Sequence, residues 1–174
     1  MPFTPFHMGA ATVVKAVAGG FFSMTVFGFA QVVMDVEPLY HIVRGEGIIH
    51  GYSHTLLGAT LIGLFTVLVG RPICQTFLKI WKPDPGDPFL QWLRGPQVIT
   101  WSAAIATAFF ATYSHVLLNS LVSSDVLPFA PFSEWNPLLG FISMAGLQLV
   151  LIGTGMLGLI GMVIVYMVET AGRE

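Results

Sequence analysis

Charge is scarce in this chain: seven Lys and Arg and nine Asp and Glu among 174 residues, 9% of the total, where a soluble domain carries about 25%. So few charges cannot clothe a water-facing surface, which excludes an ordinary soluble fold. The formal net charge of −2 gives no reason to expect a nucleic-acid partner. Cysteine is nearly absent. The single Cys74 excludes an internal disulfide framework and, set between Arg71 and Lys79, is expected as a reduced thiol facing the cytoplasm. The opening Met1–His7 lacks the basic start and small-residue cleavage pattern of a signal peptide, so it is expected to be retained.

What is present in quantity is apolar: 55% of the residues are hydrophobic and the mean hydropathy is +0.78. The chain therefore reads as an integral membrane protein forming one domain over residues 1–174. A spanning helix needs about 20 largely apolar residues, and four regions meet or approach that: Ala10–Met34, Ile48–Val69, Ile99–Val122 and Leu138–Met167. The first contains Lys15 and is interrupted by Gly19-Gly20. It is either one tilted span with Lys15 reaching the surface, or two short helices, Thr4–Ala18 and Phe21–Met34, folded as a re-entrant hairpin. Adjacent glycines are poor helix interior and favour the hairpin, which alone brings His7 to the side of Asp35. The expected fold is all-α, a multi-pass transmembrane bundle of about four spans with the bilayer as its immediate partner.

Residues 71–96 hold four of the seven basic residues together with the punctuation Lys82-Pro-Asp-Pro-Gly-Asp-Pro88, and read as a cytoplasmic basic loop. Residues 123–137, rich in Pro and aromatics, read as a loop at the outer face. With that orientation Asp35, Glu37, His41, His50, His54, His115, Asp125 and Glu134 gather toward the outer side. The 24 residues from Asp35 to Gly58 alone hold three of the five histidines. His50 and His54 stand four apart, the spacing by which one helix face offers two imidazoles to one metal if the helix begins at or before Ile49. His115 and Asn119 repeat that spacing, and the string Tyr-Ser-His-x-Leu-Leu occurs at Tyr52 and again at Tyr113. The last apolar region, Leu138–Met167, is rich in small residues, which suits close helix packing within the bundle or a docking face for a membrane-protein partner. His41 and Arg44 read as loop surface, and Glu134 as a solvated charge.

Several of these strings occur in a familiar order. Met1-Pro-Phe-Thr-Pro-Phe-His7, Asp35-Val-Glu-Pro38, His50-Gly-Tyr-Ser-His-Thr-Leu-Leu-Gly-Ala59, Tyr113-Ser-His-Val-Leu-Leu-Asn119 and Pro128-Phe-Ala-Pro-Phe-Ser133 resemble the small multi-pass prokaryotic proteins labelled membrane-bound metal-dependent hydrolases. The resemblance implies metal ligands at His7, Asp35, His50, His54 and His115, a second carboxylate at Glu37, and residence in the cytoplasmic (inner) membrane of a prokaryote. The chain departs from a distantly similar inner-membrane family by placing Asn119 where Asp is usual and by a His-x-x-x-His spacing one residue shorter. Imidazoles and carboxylates suit zinc and similar divalent ions, which acidify a bound water. Glu37 or Asp125 is then expected to take the proton. Two further readings stand beside the hydrolase: a metal that only staples helices together, and an accessory subunit of a larger electron-transfer or light-harvesting assembly.

Overall fold

A computed structural model describes residues 4–172, with side chains from His7 onward; the retained N-terminus expected at Met1–Phe3 lies outside the described residues. The described chain is helical with no strand, and four of its helices, running over Met24–Arg44, Leu56–Ile80, Trp101–Ser120 and Met144–Ala171, are long and apolar enough to cross a membrane.

The N-terminal region is the hairpin. Helix α1 (Thr4–Ala18) ends in a 3₁₀ turn at Gly19–Phe21, where Gly19 takes φ 53°, a conformation that disfavours any side chain. Lys15 closes the turn by donating from Nζ to the carbonyls of Gly19 and Phe22 at 2.8 and 2.9 Å, rather than snorkelling outward. Helix α2 (Met24–Met34) returns, capped by Ser23, whose hydroxyl accepts from the Val26 N–H. The Ser23 amide bonds Thr107 Oγ1, so the hairpin turns back partway along its neighbour instead of running the full depth of the bundle.

Helix α3 (Val36–Arg44) follows α2 almost without a break and ends at Gly45, φ 69°. Pro38 has no N–H to give to the carbonyl one turn behind. That carbonyl, of Met34, accepts instead from Ser53 Oγ at 3.4 Å.

The second span is longer than its apolar run. Helix α4 (Leu56–Phe65) passes through a wide π turn at Thr66–Gly70 into α5 (Arg71–Ile80). Pro72 is the reason. Its ring would clash with the carbonyl four residues back, and the wide turn, in which the Arg71 N–H reaches Thr66 O, relieves the conflict without ending the helix. Residues 71–96 are therefore not one loop: α5 occupies their first half and a short helix α6 (Pro88–Arg94) lies near their end. Cys74 faces the buried cluster of Val26, Val67, Leu78 and Ala103 rather than the cytoplasm.

Helix α7 (Trp101–Ser120) lies at the centre. It runs antiparallel to α4, joined by the Thr60–Tyr113 hydroxyl pair at 2.8 Å, and parallel to α2, joined by Ser23–Thr107 and Gln31–Ala111. Helix α8 (Met144–Ala171) packs parallel to α1. A Cβ on Gly9 would meet Leu151 O at 2.1 Å, one on Gly158 would meet Thr12 Oγ1 at 2.1 Å, and one on Gly161 would meet Ala16 at 3.2 Å. The glycine face of the last helix, expected to serve either the bundle or a partner, is thus filled by α1 of the same chain.

Candidate metal centre

Four of the five histidines meet in the bundle interior, at the end away from the basic residues of 71–96. The rings form a row: His7 to His115, His115 to His54 and His54 to His50, with centroid separations of 4.5, 4.9 and 4.5 Å. All four are buried. Asp35, at the α2–α3 junction, brings a carboxylate oxygen to 3.3 Å from His115 Nε2, and ligand atoms of Asp35, His54 and His115 all lie within 4.8 Å of one another.

The rings do not arrive as a helical i, i+4 pair. His50 lies in chain without regular structure and His54 in a single 3₁₀ turn, Tyr52–His54, because Thr55 is the N-cap of α4 and fixes the helix start at Leu56. Two carboxylates hold this non-helical stretch in place. Asp125 accepts from the Ile49 and His50 N–H groups at 3.0 Å each, and Glu37 accepts from those of Tyr52 and Ser53 at 3.1 and 2.7 Å. Gly51 is needed between them, since a Cβ there would lie 2.4 Å from Glu37 Oε1. The 123–137 loop closes the arrangement by placing Pro128 O on the Leu56 N–H at 2.8 Å.

Hydrogen-bond accounting assigns the ring protons. Gln31 Nε2 donates to Ala111 O at 3.0 Å, so its Oε1 faces His115 Nδ1, which must carry the hydrogen. His50 Nδ1 sits 2.8 Å from the Asp125 carboxylate, which can only accept there. Ser53 Oγ, already donating to Met34 O, takes the Nδ1 hydrogen of His54 at 2.9 Å. In the neutral imidazole form that a metal binds, each of these three rings would turn an Nε2 lone pair inward. Two of them, on His54 and His115, face each other at 3.0 Å, and His50 Nε2 is buried without a partner. A cation between such lone pairs converts a repulsive contact into coordination, and an oxygen acceptor on each Nδ1 is the usual support of a metal-ligating histidine. Both His7 nitrogens and Asn119 Oδ1 are also buried without a hydrogen-bond partner, a costly state for polar atoms.

The expected site residues fall into two groups. Asp35, His54 and His115 form the compact ligand set, with His50 and His7 flanking it. Glu37 and Asp125, expected as bases, are occupied otherwise, Glu37 with backbone amides and Asp125 with His50. Burial alone would raise the Asp125 carboxyl, but the bonds from His50 and Ile49 outweigh it and hold the carboxyl below its ordinary value. His41 belongs to α3 rather than a loop and pairs with Glu46, and Glu134 is exposed. Gln31 and Ser53 were not expected in the site. Gln31 carried a signal, as the one amide in the apolar run Met24–Met34, one turn before Asp35.

Comparison with protein-family models, with curated proteins and with solved structures gives no match.

Proposed function

We propose that this protein is a membrane-embedded metal-dependent hydrolase whose divalent cation, zinc by donor chemistry, is held by His54, His115 and Asp35 with His50 beside them. The inward lone pairs of the oriented histidines carry this reading: nitrogen and carboxylate donors in a buried cluster suit zinc better than magnesium or calcium. When bound, such a cation would polarise an ester, phosphoester or amide and acidify a water. The chain's own residues supply the rest. Gln31, Ser53 and Asp125 fix ring tautomers, the 123–137 loop covers the cluster, and His7, with neither nitrogen hydrogen-bonded and its ring against His115, stands by as a further nitrogen donor. Of the basic residues, five (Lys15, Arg71, Lys79, Lys82 and Arg94) lie toward the end of the bundle remote from the histidines. The positive-inside tendency then sets the cluster toward the outer leaflet of a prokaryotic inner membrane, where amphiphilic substrates concentrate.

Burial favours a second reading, in which the same cation only fastens α2, α4 and α7 together, because four protein donors close a tetrahedral shell. Metal analysis of the purified protein tests both. One equivalent of zinc, manganese or iron per chain is expected, lost in His54→Ala; absence of stoichiometric metal in the wild-type protein would end either account. The visible spectrum after cobalt exchange separates them, five-coordinate for a centre with an open position and four-coordinate for a fastener. Asp125→Asn is expected to weaken the cation's binding about 10–100-fold while leaving the ligand set intact, read by competition with a chelator.

A further inference from the structure

At the opposite end of the bundle, the short reach of the α1–α2 hairpin leaves a cavity of about 210 Å³ between its turn, the end of α5 and the α6–α7 connection. Its wall is mostly apolar, with Met24, Leu78, Trp81 and Ile99 among the lining residues, and the charged groups lining it are both cationic, Lys15 and Arg94. Neither makes an ion pair with a carboxylate among the described residues. Lys15 is pinned by the Gly19 and Phe22 carbonyls, and Arg94 by Leu78 O at 2.9 Å from Nε and 2.6 Å from Nη2. Their charge is thus positioned but not neutralised. Three ammonium hydrogens serve two acceptors on Lys15, and the guanidinium has five N–H groups for one carbonyl. Glu169, the carboxylate that acts on Lys15 from a distance, is engaged by Trp92 Nε1 at 2.8 Å. The N-terminus of α2, whose first N–H groups have no partner within the helix, opens on the same space through Met24 and Thr25.

Cationic side chains, a helix N-terminus and an apolar wall together recognise a group that is negative at one end and greasy at the other. The volume is below the roughly 300 Å³ at which pockets begin to enclose whole drug-sized ligands, so it receives a head and not a tail. Basic pockets between membrane helices at the interface take anionic lipid headgroups by this chemistry. We propose that the cavity beneath the hairpin turn is a binding site for the anionic headgroup of a membrane phospholipid, gripped by Lys15 and Arg94, with its acyl chains leaving along Trp81 and Val98. The site is separate from the histidine cluster and does not depend on what that cluster does.

The test is native mass spectrometry of the full chain released from micelles containing equal amounts of phosphatidylglycerol and phosphatidylcholine. The wild-type protein is expected to retain one phosphatidylglycerol per chain with a preference of about tenfold or more. Lys15→Gln combined with Arg94→Gln should abolish the preference, whereas Lys79→Gln combined with Lys82→Gln removes equal charge from exposed positions nearby and should leave it intact. Equal retention of the two lipids by the wild-type protein overturns the proposal, whether or not the variants fold. So does an equal loss in the exposed pair, which would mean diffuse surface attraction, or displacement of the lipid by an equal concentration of inorganic phosphate, which would mean that the site reads the anion alone.

Discussion

His115→Ala is expected to remove metal-dependent stabilisation altogether. In the wild-type protein a cation at a hundred times its Kd adds about 2.7 kcal/mol to the folded state by mass action. The variant should show no such increment on adding zinc, because His115 is a member of the candidate ligand set and joins it to Gln31 and His7. It faces His54 at 3.0 Å, Asp35 at 3.3 Å and Gln31 through Nδ1, and its ring lies against His7. A second cost falls on the metal-free protein. Truncation opens a cavity in the bundle and leaves the buried Gln31 Oε1 without its donor, together worth about 2–5 kcal/mol. The two effects separate in thermal unfolding with and without zinc in the same detergent. A variant that is less stable yet still gains the full zinc increment would show that the cation sits elsewhere. Gln31→Ala provides the comparison, since it keeps all four imidazoles and removes only the tautomer support, so a part of the increment should survive.

Gly158→Val is expected to unseat α1 from α8. The added Cβ would stand 2.1 Å from Thr12 Oγ1, 2.5 Å from Val13 N and 2.6 Å from Thr12 C, and the last two are backbone atoms that no rotamer change can move. Overpacking costs about 1–3 kcal/mol where side chains can adjust; here the helices themselves must part, so the loss should reach or exceed the top of that range. The same substitution at Gly153, where a Cβ meets nothing within 4 Å, should be nearly neutral. Because α1 carries His7, the Gly158 variant should also weaken metal binding, although the substitution lies on α8, which supplies no histidine. Equal stability of the two variants would refute the packing described for α1 and α8.

Much of this molecule is legible in its sequence because the bilayer leaves few choices. Long apolar runs must become helices, so the all-α bundle, its four spans and the break at Gly19-Gly20 follow from hydropathy and backbone freedom alone. The convergence of His7, Asp35, His50, His54 and His115 was legible for a related reason, namely that polar groups in such runs need one another. What escaped was local. The His50/His54 spacing matched a helix, but tertiary bonds from Asp125 and Glu37 hold that stretch outside the α-helix and bring the two rings together by another route. Residues 71–96 read as a loop, yet a wide turn carries the helix through Arg71-Pro72. Glu37 and Asp125 were visible as acids near histidines, but whether a carboxylate faces a ligand, an amide or solvent depends on contacts 15 and 75 residues away along the chain.

The side-by-side course of α1 and α8 bears on how the protein is made. Among the described helices α1 is made well before α8, its principal neighbour, so during synthesis it is half-housed while the segments between them are inserted. His7 rides on α1, so its seat against His115 becomes secure once α8 has docked. Arrival of α8 and firm closure of the cluster are thereby tied to one step.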